Sequence, residues 1–274
     1  MLSIKPVLKN LIKEDASKNK TFKRNILKEY LQIIVLDYIY SSPEYNQMVF
    51  YGGSCLAHCF GLPRLSEDLD FVDLKKKINI NKLAKDLEAY FKKNTDLELK
   101  AVFQKFRIYL KFPILYELGL AKKTESDLLF LKIEIFKDFD FCKKFETEII
   151  PVFKFNKSIL IKTFDLQTLM ATKIRAIFFR KWEKKDKKGG TIAKVKGRDY
   201  FDLMWYLEKK VKPNLNCLKA DTFKILKKDL LILIKKIDNK SIKTDLEPLI
   251  LDRKFVINLS KNIKKILQKE ISNL

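Results

Sequence analysis

Val49-Phe50-Tyr51-Gly52-Gly53-Ser54 opens the stretch VFYGGSCLAHCFGLPRLSEDLDFV, which runs to Val72 and decides how the rest of the chain is read. An apolar run ends in Gly52-Gly53-Ser54. A short helix-like piece follows, then Pro63-Arg64, then two carboxylates spaced D-x-D at Asp68 and Asp70. Glycine has no Cβ, so it can take positive φ and lets backbone N–H groups come close to a ligand. A Gly-Gly-Ser turn that opens a helix also offers unpaired N–H groups and a positive dipole end, which suits phosphate. Alternation along a strand puts Asp68, Asp70 and Val72 on one face and Leu69 and Phe71 on the other. Two carboxylates on one strand face repel each other unless a cation stands between them, and hard divalent ions prefer such oxygens. A phosphate-sized gap beside a pair of metal-binding oxygens is what a nucleoside triphosphate with magnesium requires.

The 274 residues allow two domains of ordinary size, and 47% hydrophobic content is enough for a sizeable core. With 57 Lys+Arg against 34 Asp+Glu the net charge is +23, a field that favours a polyanion, most simply nucleic acid. The abundance of Lys, Ile, Phe and Asn also matches the codon bias of an AT-rich genome, which raises Lys without any function. Only seven of the basic residues are Arg, and four of these (Arg64, Arg175, Arg180, Arg198) fall in the segments of interest. Planar bidentate donors are what phosphate recognition asks for. Four cysteines in a lysine-rich chain with no signal peptide predict a reducing cytoplasm. Cys55, His58 and Cys59 are spaced as in a short core helix, with no second Cys/His cluster to complete a metal site. Apolar runs such as Leu31 to Val35 are far shorter than the ~20 residues of a membrane span.

The pattern predicts an α/β (α+β) chain: a first domain over 1–160 with a mixed sheet flanked by helices, then a helical domain over 161–274. Predicted helices are 20–40, 54–60 and 79–93. Predicted strands are 48–51, 68–73, 97–104, 107–112, 128–137, 149–153 and 159–161. From Asp165 onward helices are predicted over 166–182, 199–210, 220–237 and 256–272. The basic, Gly-containing run from Lys184 to Arg198 is predicted to be a mobile loop.

On the strand 128–137, Leu128, Phe130, Lys132, Glu134 and Phe136 share a face. Buried carboxylates are uncommon unless paired or metal-bound. Glu134 therefore either pairs with a lysine or serves as a third metal ligand facing Asp68 and Asp70. In helix 166–182 the apolar stripe is Leu166, Leu169, Met170, Ile174, Ile177 and Phe178. Lys173 and Arg180 fall within that stripe, where a cation either snorkels or meets an anion such as a triphosphate. Arg175 lies on the opposite face, where solvation is the default. In 197–207, GRDYFDLMWYL, Asp199 is placed as an N-cap or a site acid. Arg198–Asp202 is an i,i+4 pair, or Asp202 is a site acid.

Taken in order, these segments resemble the AbiEii-type (AbiGii-type) toxin family of the DNA-polymerase-β-like nucleotidyltransferase superfamily. The resemblance rests on Gly52-Gly53-Ser54, Gly61-Leu62-Pro63-Arg64, Ser66-Glu67-Asp68-Leu69-Asp70-Phe71, Lys132-Ile133-Glu134-Ile135, Leu169 to Arg180, and Arg198-Asp199-x-x-Asp202-Leu203. It spans roughly residues 48 to 207. It implies a nucleotidyltransferase domain followed by a helical domain, with Asp68, Asp70 and Glu134 holding two Mg²⁺ ions. An aspartate of the Arg198-Asp199 block, Asp199 or Asp202, would complete the catalytic set. Gly52, Gly53, Ser54, Arg64, Lys173 and Arg180 would hold the NTP. The expected reaction is transfer of NMP to an RNA hydroxyl, with a tRNA 3′ end as one acceptor. The alternatives are a protein hydroxyl acceptor, or a non-catalytic RNA- or antitoxin-binding module on the same fold. A cognate antitoxin, often a winged-helix protein, is implied as partner. Cys55, Leu56 and Ala57 after the glycines and the long basic Lys184–Arg198 segment depart from the family pattern.

Overall fold

The computed structural model describes residues 2–13, 19–180, 183–185, 190–193 and 195–274. The chain divides into two compact units. The first holds the residues up to Phe139 together with Glu148–Thr163; the second holds Asp140–Thr147 and Phe164–Leu274.

The first unit carries a seven-stranded mixed sheet. Its strands are β1 (Val49–Tyr51), β2 (Asp68–Val72), β3 (Lys100–Gln104), β4 (Arg107–Pro113), β5 (Leu128–Phe136), β6 (Thr147–Lys154) and β7 (Lys157–Phe164), in the order β3-β4-β5-β2-β1-β7-β6. β2 runs antiparallel to β1 and parallel to β5, so the D-x-D strand lies in the middle of the sheet. The period-2 pattern of β5 is realised in full: Leu129, Leu131, Ile133 and Ile135 are buried, and Lys132 and Glu134 point to the other face. Helices α1 (Ile4–Lys13), α2 (Lys20–Ser41), α3 (Gly52–Cys59) and α4 (Ile80–Asn94) complete the unit. α2 packs on β5, and α4 packs on β3 and β4. Asn19 and Asn79 accept the N–H of Phe22 and Lys82, which fixes where α2 and α4 begin. Cys55 is buried beside the Thr163 hydroxyl at 3.0 Å, and His58 Nε2 meets Gln32 Oε1 at 2.9 Å. Burial pushes the His58 imidazole down to about 3.

The second unit is largely helical: α5 (Leu166–Phe179), α6 (Gly197–Glu208), the short 3₁₀ turn Leu215–Cys217, α7 (Phe223–Ile234), α8 (Asn239–Leu246) and α9 (Arg253–Ser272). α6 is its axis, packing on α5, α8 and α9 with Phe201, Leu203 and Tyr206 fully or nearly buried. A Cβ at Gly197 would lie 2.7 Å from the Ile242 Cα, so glycine is what lets α6 start against α8. Asp165, Thr222, Asp238 and Asp252 cap the helices that follow them.

Several expectations are corrected. α1 and α8 arise where no helix was predicted; both are short, and α8 buries only Ser241, Ile242 and Leu246. The helix expected over 220–237 ends at Ile234 and is followed by α8. α5 ends at Phe179, and residues 181 and 182, the last of the predicted helix, lie outside the described residues. In the basic segment expected to be a loop, β8 (Lys184–Lys185) and β9 (Thr191–Ala193) pair antiparallel, while residues 186–189 and 194 lie outside the described residues. Cys142 and Cys217 form a disulfide within the second unit, a pairing the cysteine count did not anticipate, and Cys55 and Cys59 are free. No helix among the described residues is long and apolar enough to cross a membrane.

Candidate active site

In the first unit the site is built by register. Asp68 sits opposite Lys132 and Asp70 opposite Glu134 in the parallel β2–β5 ladder. Alternation puts these four side chains on one face. Lys132 Nζ reaches Asp68 Oδ2 at 3.1 Å and Glu134 Oε1 at 3.2 Å. Arg107, opposite Glu134 in the β4–β5 ladder, places its Nε 2.6 Å from the same Oε1. Burial raises the Glu134 carboxyl, and Lys132 and Arg107 outweigh it, so the acid is held below its ordinary range. Burial likewise lowers the Lys132 ammonium, and Asp68 and Glu134 outweigh it in the opposite direction. Glu134 thus pairs with a lysine, one of its two sequence readings, and it stands opposite Asp70 in the sheet.

The Gly-Gly-Ser turn is joined to these acids. Gly52 has φ +79°, and a Cβ there would lie 2.5 Å from Asp70 Oδ2. A Cβ on Gly53 would lie 2.6 Å from Arg64 Nη2. Gly52 is demanded by its positive φ as well as by its approach to the acid, and a side chain at Gly53 would have to displace the Arg64 guanidinium. Arg64 is buried, with Nη1 donating to the Leu65 carbonyl. The Ser54 hydroxyl donates to the Asp68 carbonyl, tying the start of α3 to the start of β2. Ser54 therefore turns its side chain inward. Tyr51, the N-cap, makes no side-chain bond to the backbone at the start of α3.

In the second unit, Lys173 on α5 faces α6. Its Nζ is 2.8 Å from Asp199 Oδ1 and 2.8 Å from Asp202 Oδ2. Arg180 Nη1 lies 2.6 Å from Asp199 Oδ2. Burial raises the Asp199 carboxyl, and Lys173, Arg180 and Lys196 outweigh it, holding it at about 2. Lys196, the N-cap residue of α6, is pushed down to about 8 by burial, with Arg198 adding to the effect. A small cavity of about 60 Å³ is lined by Arg180, Lys196 and Asp199 with Ala176, Ile177, Val195 and Tyr200. Asp199 lies in the first turn of α6 and Lys196 is the N-cap. Arg198 reaches Asp245, with the Asp245 carboxylate also accepting the Arg198 backbone N–H at 2.9 Å. Arg175, expected to be solvated, instead lies half-buried over the Phe141 ring.

Sequence reasoning missed the bridging role of Lys132, the Arg107–Glu134 pair and the half-buried Lys196. The first was readable in principle, because Lys132 and Glu134 are two apart on one strand face. The second depends on strand register between segments 27 residues apart, which no local pattern encodes. Among the described residues no group of three or more His, Cys, Asp or Glu side chains forms a ready metal site. In the acid cluster of the first unit, Lys132 bridges Asp68 and Glu134.

The profile of the family described as nucleotidyl transferase AbiEii toxin, type IV TA system, matches residues 34–268. Two solved structures share the fold. JHP933 from Helicobacter pylori is 19% identical, with 91% of this chain and 94% of that one covered and a TM-score of 0.50. MenT4, a nucleotidyltransferase toxin from Mycobacterium tuberculosis H37Rv, is 12% identical, with 98% and 90% covered and a TM-score of 0.54. No curated protein matches the chain.

Proposed function

The chain belongs to the nucleotidyl transferase AbiEii toxin family of type IV toxin–antitoxin systems, and from that premise we propose that it is a magnesium-dependent enzyme that transfers NMP from an NTP to an RNA hydroxyl. The observation that carries the proposal is the contact between turn and acid. Gly52 lies against the Asp70 carboxylate, and Asp70 lies beside Glu134 in the sheet. A turn whose backbone would take phosphate thus lies against a carboxylate pair, which supports the reading.

The donor set suits a hard divalent cation, since Asp68, Asp70 and Glu134 offer only oxygen. Asp68 and Glu134 are already gathered around one cationic atom, Lys132 Nζ. Asp68, Asp70 and Glu134 would hold two Mg²⁺ ions, whose chemistry is to polarise the phosphate and lower the pKa of the acceptor hydroxyl. The backbone of Gly53 and Ser54 at the start of α3 would take phosphate oxygens, with Gly52 and Arg64 shaping the turn from either side. Lys173 would hold the triphosphate, and Asp199, Asp202 and Arg180 fix where its ammonium stands. Attack of the acceptor oxygen on the α-phosphorus breaks the bond to the bridging oxygen and releases pyrophosphate. The residues contribute mostly by position and electrostatics. RNA as acceptor, a tRNA 3′ end included, is supported by the +23 charge. A cytoplasmic setting and a winged-helix antitoxin partner complete the reading.

The test is transfer of α-³²P label from each of the four NTPs, with Mg²⁺, to total RNA, with Asp70→Asn beside the unaltered protein. Label on RNA from the unaltered protein alone is the expected result. Label on protein instead would shift the reading to a protein hydroxyl as acceptor, and no label anywhere, with RNA binding indifferent to Mg²⁺ and to Asp70, would favour the non-catalytic binding module.

A further inference from the structure

The arginines of this chain are few, and their partners differ. Arg24 and Arg64 donate to backbone carbonyls, and Arg107, Arg180, Arg198 and Arg253 each lie within 4 Å of a carboxylate. Among the described residues Arg175 is the one arginine with no hydrogen-bond acceptor and no ion-pair partner. Its guanidinium lies instead over two rings, 3.9 Å from the centroid of Phe141 and 5.2 Å from that of Phe179. Partial burial lowers its pKa, a sign that some of its hydration is already removed. The five N–H donors of a guanidinium so placed are held in a plane with nothing to receive them.

Phe179 carries a second such cation. Lys219 Nζ lies 5.2 Å from the same ring centroid and has no acceptor among the described residues. The ring itself is 53% exposed although it ends a helix whose other aromatic neighbour, Phe178, is turned partly inward. Phe178 and Phe179 form one wall of a cavity of about 300 Å³, closed by Leu218 on one side and by Ile232 and Leu233 of α7 on the other. Asp229 is the acid on that rim. An exposed aromatic face, an apolar floor and two unpaired cations ask for a ligand with a flat ring and a phosphate. An acidic peptide would meet Asp229 and would leave the aromatic wall and apolar floor without use.

We propose that the groove between the C-terminal end of α5 and α7 is a stacking site for one unpaired nucleotide of a single-stranded RNA. The base lies on the Phe179 ring in the groove, and the adjoining phosphate takes the donors of Arg175 and Lys219. Asp229 lies on the rim where it can accept an N–H from the edge of a base, such as the N3–H of uracil. Phe179 follows Lys173 by six residues, about 9 Å along the axis of the same helix. The proposal rests on the reading of RNA as acceptor and gives that acceptor a place on the second unit.

The test measures binding of a fluorescent oligouridine to the full chain at several salt concentrations, for the unaltered protein and for Phe179→Ala, Phe179→Trp and Arg175→Gln. Phe179→Ala should bind about tenfold more weakly. Phe179→Trp should keep the affinity and lose indole emission as the oligonucleotide stacks, a signal that a purely structural ring would not give. Arg175→Gln should lower the slope of log affinity against log salt by about 0.7. Unaltered binding by both Phe179→Ala and Arg175→Gln overturns the groove. So does a labelled polyglutamate that binds the unaltered protein and is lost in Phe179→Ala, which would make the groove a seat for an acidic protein. The same variants are run in the label-transfer assay. If the unaltered protein labels RNA while the variants bind and transfer as it does, the groove fails and the acceptor reading stands. Label on protein alone overturns the acceptor reading and the groove with it.

Discussion

Asp68 and Glu134 share Lys132 at 3.1 and 3.2 Å, with side chains 32%, 13% and 26% exposed, whereas Asp199 and Asp202 share Lys173 at 2.8 Å with carboxylates only 5% and 0% exposed. The pairing chemistry is the same and the surroundings differ. A partly exposed ion pair is worth about 0–1 kcal/mol, so water or another cation can replace a partner at little cost. A buried pair costs about 3–5 kcal/mol to break from one side, because the charge left behind has no water. The lysine of the first cluster is therefore the less firmly held of the two. The second is built to keep its lysine where it is. This difference supports the proposed metal role of Asp68, Asp70 and Glu134, while Asp199 and Asp202 hold Lys173 in place.

The largest expected effect that would break this comparison is on activity. Asp70→Asn keeps the volume against Gly52 and should lower label transfer about a thousandfold, the scale of losing a main electrostatic group at a reacting centre. Its unfolding free energy, from urea titration, should stay within about 1 kcal/mol of the unaltered protein. Asp202→Ala should show the reverse weighting, with about 3–5 kcal/mol of stability lost because Lys173 is left half-paired in the core. Equal stability of the two variants would erase the distinction between the clusters.

The pH dependence sharpens the same point. The Asp199 carboxyl is held at about 2, below its ordinary value, so its contribution to stability is present above about pH 4 and is lost as pH falls toward 2. That contribution is about 2 kcal/mol, and Asp199→Asn should remove the corresponding slope from acid unfolding curves. The smallest effect concerns Lys132. Lys132→Met should cost about 1 kcal/mol without metal, from losing a partly exposed pair. It should also tighten Mg²⁺ binding measured by calorimetry, because the competing ammonium is gone. Weaker Mg²⁺ binding in that variant would show that Lys132 supports the cation site and does not compete for it.

How much of this was legible in the sequence depends on the range of the interaction. The D-x-D strand, the faces of β5 and the Lys173-bearing stripe of α5 follow from periods of 2 and 3.6 within single segments. The order of six segments, from Gly52-Gly53-Ser54 through D-x-D and K-x-E to the Arg198-Asp199 block, carried the resemblance to the family. The contact of Gly52 with Asp70 was not readable, because positive φ at one glycine and not its neighbour is set by the tertiary path. The Asp70–Glu134 register joins residues 64 apart, with α4, β3 and β4 between them in the chain. Arg175 was assigned to solvent because helical periodicity sees only the stripe of its own helix. Its partner Phe141 comes from Asp140–Thr147, a segment that leaves the first unit to join the second.

The measurement that tests the two-cluster account most directly is Mn²⁺ binding followed by electron paramagnetic resonance, in the presence of a non-hydrolysable NTP. It compares the unaltered protein, Asp70→Asn and Asp199→Asn, each shown to be folded. Mn²⁺ binding lost in Asp70→Asn and kept in Asp199→Asn is the expected result. Binding kept in Asp70→Asn, or lost equally in Asp199→Asn, would contradict the assignment of metal to the first cluster alone.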